Sequence, residues 1–220
     1  MQWRVSVDGD ATSAVFEPAE GGKALFVCAH GAGGDMDDRG VRAASQVLRA
    51  KGFDVVRFNF LYREKGSRSP DPMPRLKTCY QAVLAHVRRE LKPAKLIVGG
   101  RSMGGRVASL LAAEGEACDG LLLLAYPLHP AGKPEALRDA HLPRIRVPVL
   151  CINGTRDTLC SREVMERVAR GLSASWQMHW LEGADHGFHV LKSSGRTDAD
   201  ILAEVSDVAG RWLSRLARWW

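Results

Sequence analysis

The chain has 220 residues, 45% of them apolar and 25% charged, with a net charge of +6 and an isoelectric point near 9.3. That length is enough to bury a full core in one domain spanning residues 1–220, and the composition is that of a globular protein. The basic excess is modest and its arginines (Arg4, Arg39, Arg63, Arg75, Arg88, Arg144, Arg170, Arg215) are scattered, so no nucleic-acid partner is expected.

Two short strands are expected at 3–7 and 13–18, around the turn Asp8-Gly9-Asp10. The continuous apolar run Ala24-Leu25-Phe26-Val27-Cys28-Ala29 reads as a strand buried on both faces, the mark of a central parallel strand. It ends at His30-Gly31-Ala32-Gly33-Gly34. A helix over 42–51 follows, with Val41, Ala44, Val47 and Leu48 on one face and Gly52 closing it. Asp54 to Phe60 form the next strand. A loop rich in Pro and Arg, 61–74, then leads to a helix over 75–91 with Leu76, Tyr80, Val83, Leu84 and Val87 at helical spacing. Further strands are expected at 96–99, 120–125, 147–152 and 176–181. A closing helix carries Ile201, Val205, Val208, Trp212 and Leu216 on one face.

Strand and helix alternate, which gives an α/β class: a doubly wound, mostly parallel sheet with right-handed crossovers. In such sheets ligands sit at the carboxyl ends of the strands. His30–Gly34, Ser102, Asp157 and His186 each lie just beyond an expected strand. No uninterrupted apolar run approaches the ~20 residues that cross a bilayer, and Met1-Gln2-Trp3-Arg4-Val5 is no signal sequence. Five cysteines without C-x-x-C spacing fit buried thiols in a reducing compartment, so the expected location is cytoplasmic, away from membranes.

Gly100-Arg101-Ser102-Met103-Gly104, entered from an apolar strand and left by a helix, is the G-x-S-x-G pattern that exposes a nucleophilic serine. A serine hydroxyl needs a base near neutral pH, and histidine suits that task. The base needs an acid that fixes its tautomer, and the oxyanion needs preorganised N–H donors. The chain offers Ser102, then Asp157 in Asn153-Gly154-Thr155-Arg156-Asp157, then His186 in Gly183-Ala184-Asp185-His186-Gly187-Phe188. The backbone amides of Ala32 and Met103 are the candidate donors. Other readings stand beside these. Ser102 fits a tight glycine turn. Asp157 fits a helix cap before Ser161–Leu172. His189 competes with His186 as base, and Asp185 with Asp157 as acid.

These stretches, together with Phe58-Asn59-Phe60-Leu61-Tyr62-Arg63-Glu64-Lys65-Gly66, resemble the α/β-hydrolase superfamily over residues 13–220. Within it the chain is similar to small dienelactone-hydrolase-like serine hydrolases, and most of all to the branch of testis-expressed protein 30 and KAT8-complex subunit 3. The resemblance implies a triad of Ser102, Asp157 and His186, and a serine esterase acting on a small acyl substrate as a monomer or homodimer. Because some members of that branch are subunits of larger assemblies, it also leaves open a weakly catalytic scaffold that binds a protein partner. Residues 127–146 leave no room for a multi-helix lid, so the fold is expected to be minimal.

His30, Arg63 and Arg101 are candidate substrate contacts, although His30 also reads as a brace for the glycine loop. The remaining histidines lack metal-ligand spacing, so neither metal nor cofactor is expected. Trp219-Trp220 could pack in the core or form an exposed subunit-pairing patch.

Overall fold

The computed structural model describes residues 1–173 and 175–216; Trp219 and Trp220 lie outside the described residues. Eight strands form one sheet: β1 (Gln2–Val7), β2 (Asp10–Glu17), β3 (Ala24–Ala29), β4 (Phe53–Phe58), β5 (Leu96–Arg101), β6 (Gly120–Leu124), β7 (Val149–Gly154) and β8 (Trp176–Leu181). Their spatial order is β1-β2-β4-β3-β5-β6-β7-β8. β1 and β2 pair antiparallel with each other, and β2 with β4, while every other pairing is parallel.

The helices are α1 (Arg39–Arg49), α2 (Leu61–Glu64), α3 (Met73–Leu91), α4 (Met103–Ala113), α5 (Arg162–Ala169) and α6 (Asp198–Leu216). The apolar runs explain the layers. On β3, Leu25, Val27 and Ala29 join the core under α3 and α4, while Ala24, Phe26 and Cys28 join the core under α1 and α6. Leu121 and Leu123 against Leu122 and Leu124 repeat this on β6. Side chains alternate across a strand, so a run buried on both faces must be apolar throughout.

The winding reverses between β3 and β5: β3 leads through α1 to β4 on one side, and β5 leads through α4 to β6 on the other. The crevice opens at such a switch point. The link from β6 to β7 holds a single 3-10 turn, Leu142–Arg144, and no helical insertion.

Several boundaries differ from the sequence expectations. The first hairpin turns on two residues, Asp8 (φ 44) and Gly9 (φ 83), so Asp10 is already paired to Val7. Two positive φ values are what a two-residue turn with the right strand twist requires. The 61–74 segment is not all loop: α2 occupies its start, and α3 begins at Met73. Pro74 fits the first turn of α3, where its missing N–H has no intrahelical role. α1 starts three residues earlier than its apolar face indicates, at Arg39. β5 continues through Gly100 and Arg101, so the turn begins at the serine itself.

Beneath that turn, buried Tyr80 on α3 bridges the switch point. Its hydroxyl lies 2.7 Å from the Val27 carbonyl and 2.8 Å from the Gly99 carbonyl, and accepts the Gly99 N–H at 2.9 Å. The periodicity of α3 marks Tyr80 as core, but nothing local marks it as a clamp between β3 and β5.

His141, just ahead of the 3-10 turn, is buried with Nε2 2.8 Å from Ser109 Oγ on α4. Burial pulls its pKa from the ordinary 6.5 to about 4. In that window the unfolded chain binds a proton at this ring that the folded chain does not, so stability falls as the pH drops from 6.5 towards 4. His30, lowered by its own burial, acts in the same direction. Urea midpoints should therefore be lower at pH 5 than at pH 7, and His141→Asn should narrow the difference. An unchanged difference would assign the acid sensitivity elsewhere.

Candidate active site

Ser102 follows directly on β5 with φ 50 and ψ −117, a backbone conformation that a side chain rarely adopts. Strain of this kind costs roughly 1–3 kcal/mol and persists only where the surroundings enforce it. They do so here. The Ser102 N–H donates to the Leu124 carbonyl of β6 at 2.9 Å. Gly104 opens α4 so close to β3 that a Cβ there would lie 2.5 Å from the Ala29 carbonyl oxygen, and Gly100 presses on the same residue. The two glycines let the helix start against the strand, which thrusts Ser102 out of the sheet.

Three side chains meet at this point. His186 Nε2 lies 2.9 Å from Ser102 Oγ, and His186 Nδ1 lies 2.8 Å from Asp157 Oδ2. The Asp157 side chain is fully buried, whereas that of His186 is 27% exposed, so the carboxylate is sealed and the imidazole is reachable. Asp157 also accepts the Leu159 N–H at 2.8 Å on Oδ1 and the Asn153 amide at 3.2 Å on Oδ2. Asn153 is itself fixed, accepting the Tyr126 N–H at 3.1 Å and donating to the Tyr126 carbonyl at 3.0 Å. With acceptors saturated in this way, the ring proton of His186 belongs on Nδ1, and Nε2 faces the serine as an acceptor.

The competing groups are engaged elsewhere. α5 starts at Arg162, with Ser161 and not Asp157 at its N-cap position. Asp185 accepts the Gly187 N–H at 2.7 Å and the His189 N–H at 3.0 Å, building the turn that carries His186. His189 pairs with Asp198 at 2.6 Å.

Two backbone amides border the serine. The Met103 N–H opens α4, where the first amides of a helix have no carbonyl partner. The Ala32 N–H has no acceptor among the described residues, while its neighbour Gly33 donates to Tyr62 Oη at 3.2 Å. Tyr62, on α2, thus braces the glycine loop, a role that the sequence did not reveal. His30 braces it too. It is fully buried, its Nε2 accepts the Phe60 N–H at 3.1 Å, and its Nδ1 faces the Gly31 carbonyl at 2.8 Å.

A cleft of about 500 Å³ lies over these groups, lined by Ala32, Arg39, Arg101, Ser102, His186 and Phe188 among others. Of the three expected substrate contacts, only Arg101 reaches it. His30 is behind the glycine loop. Arg63 binds Asp35 at 3.1 Å and the Ser67 carbonyl at 2.9 Å, tying α2 to that loop from outside the cleft wall. Arg39 lines the cleft as well, because α1 begins at Arg39, ahead of its apolar face.

Among the described residues no cluster of three or more His, Cys, Asp or Glu side chains could hold a metal ion, and no helix is long and apolar enough to cross a membrane. All five cysteines are free.

Comparison with known proteins agrees with this architecture. A lidless α/β serine hydrolase from Xanthomonas campestris superposes with a TM-score of 0.72 at 22% identity, covering 96% of this chain and 94% of that one. A dienelactone hydrolase from Anabaena variabilis gives 0.74 at 19% identity, covering 98% and 97%. Est1E from Butyrivibrio proteoclasticus, solved with ferulic acid bound, gives 0.78 at 16% identity, covering 98% and 99%. At these identities the likeness is one of fold. The model of the alpha/beta hydrolase domain matches residues 22–214, and the chain belongs to that family.

Proposed function

We propose that the protein is a serine hydrolase that cleaves a carboxylic ester or related acyl bond through an acyl-enzyme on Ser102. The observation that carries this reading is the unbroken relay from Ser102 Oγ through His186 to buried Asp157, at 2.9 and 2.8 Å, beside two backbone amides without an acceptor among the described residues. Ser102 Oγ attacks the acyl carbon as its proton passes to His186 Nε2. The carbonyl oxygen, now negative, takes hydrogen bonds from the Ala32 and Met103 amides. The imidazolium, stabilised by Asp157, returns the proton to the departing alkoxide, and an alcohol leaves. Water then gives a proton to His186 as its oxygen attacks the acyl carbon. Collapse releases the carboxylic acid and restores the serine.

The parts come from loops after β3, β5, β7 and β8, so the function needs the whole sheet, and we read residues 1–220 as one domain. The free thiols support a reducing, cytoplasmic setting. The scaffold reading suggested by the testis-expressed branch has less behind it: among the described residues only Met1 and Leu191 are large exposed apolar side chains, too few for a docking patch.

A fluorophosphonate probe tests the proposal directly. Wild type should label covalently and Ser102→Ala should not. Equal labelling of both, or of neither, would sink it. With no lid between β6 and β7, p-nitrophenyl esters of short acyl chains should be preferred over long ones.

A further inference from the structure

The residue immediately before the serine does something that the triad chemistry does not require. Arg101 ends β5, and its Nη2 donates to the backbone carbonyl of His186 at 2.7 Å, across 85 positions of sequence. Its Cζ lies 5.1 Å from the centroid of the Phe188 ring. Its Nη1 faces Gly40 so closely that a Cβ there would lie 2.9 Å away. The guanidinium is therefore held between α1 and the turn that carries His186. Among the described residues it has no carboxylate within ion-pair distance, and the His186 carbonyl is its one hydrogen-bond acceptor.

A largely buried cation without an ion-pair partner adds little to stability, since an apolar side chain of similar volume would pack there at lower desolvation cost. Burial already pulls its pKa below the ordinary arginine value. What an apolar side chain cannot supply is the donor to the His186 carbonyl. The turn is anchored at its two ends, where the Ala184 carbonyl accepts the Arg156 N–H at 2.9 Å and His189 pairs with Asp198. Between them Asp185 closes the turn on itself, Phe188 sits at φ 65, and the His186 ring meets only Asp157 and Ser102, so the His186 backbone is held from outside by Arg101.

We propose that Arg101 is a positioning residue: it fixes the backbone of His186 to the same strand end that presents Ser102, and so sets the distance between base and nucleophile. Both ends of the strut are rigid, because β5 is paired on both sides and the Phe188 ring is stacked under the guanidinium. A reacting pair displaced by about 1 Å can lose on the order of 100-fold in rate, so a donor at this point acts on turnover more than on folding. This inference rests on the hydrolase reading for its kinetic consequence, but not for its structural one.

The test uses Arg101→Met and Arg101→Lys. Arg101→Met keeps an apolar stem over Phe188 and removes every donor; Arg101→Lys keeps a cationic donor group and loses the flat guanidinium over the ring. With p-nitrophenyl acetate and the anionic mono-p-nitrophenyl succinate, Arg101→Met should lower kcat about 30- to 100-fold on both esters. KM should stay within about twofold, as expected for loss of transition-state geometry. Arg101→Lys should recover part of the loss. Amide hydrogen exchange over residues 185–188 should quicken about tenfold in Arg101→Met while the sheet amides are unchanged.

Unchanged kcat together with unchanged exchange would overturn the proposal. So would a loss confined to the anionic ester and expressed in KM, which would make Arg101 a substrate contact. If wild type itself fails to label with a fluorophosphonate, the hydrolase reading fails, and the exchange measurement still decides whether Arg101 holds the turn.

Discussion

Replacing Ser102 with alanine should lower ester turnover on the order of a million-fold and leave the thermal midpoint close to that of wild type. The size follows from the relay acting as a unit. Without Oγ, His186 has nothing to deprotonate, and what remains is binding plus the two amides, a residue of catalysis that is small against the loss. Stability should hold for a local reason. Serine and alanine both carry a Cβ, so the strained φ of 50 costs the same in each. The Leu124 carbonyl that anchors the turn takes a backbone N–H and does not depend on the side chain. The hydroxyl's one partner, His186 Nε2, remains partly exposed and can be hydrated. Steady-state assays with p-nitrophenyl acetate, corrected by active-site titration of the wild type, measure the ratio. A variant retaining a tenth of wild-type turnover removes Ser102 from the nucleophile's role.

The legible part of this protein is the part where local pattern and tertiary demand coincide. A strand buried on both faces has no position for a polar side chain, so Leu25–Ala29 and Leu121–Leu124 declare themselves as central strands without reference to their neighbours. The glycines around Ser102 are legible for a similar reason, because a helix starting hard against a strand leaves no room for a Cβ. The rest depends on who meets whom. Asn153 looks like an ordinary strand-end residue, yet it bridges Tyr126 and Asp157. Tyr80 sits at core spacing on its helix and Tyr62 in a stretch whose sequence reads as loop, and only the folded chain brings their hydroxyls to Gly33 and Gly99. The arginines failed as a guide to the cleft for the same reason. Arg63 has an acid partner within reach and Arg101 has none, and nothing in the flanking residues of either tells them apart.

Asp157→Asn should cost about 10³- to 10⁴-fold in kcat while the protein stays folded. The carboxylate now accepts three hydrogen bonds: from Leu159 N–H on Oδ1, and from His186 Nδ1 and the Asn153 amide on Oδ2. An asparagine has one acceptor oxygen and one donor amide, and either orientation conflicts with a donor already in place. With the amide towards Leu159, two N–H groups oppose each other in a buried turn. With the amide towards His186, the Asn153 amide is opposed instead, but the imidazole can adapt by moving its proton from Nδ1 to Nε2. That second arrangement satisfies the ring and ruins the base, since Nε2 then donates to Ser102 Oγ and cannot take its proton. The variant should therefore bind fluorophosphonate slowly, with KM for p-nitrophenyl acetate little changed. Asp185→Asn is the informative comparison. Asp185 holds only turn amides at 2.7 and 3.0 Å and never meets the ring of His186, so an amide there should lower kcat far less. If the two substitutions lower kcat equally, Asp157 is not the group that sets the tautomer, and the relay ends at His186.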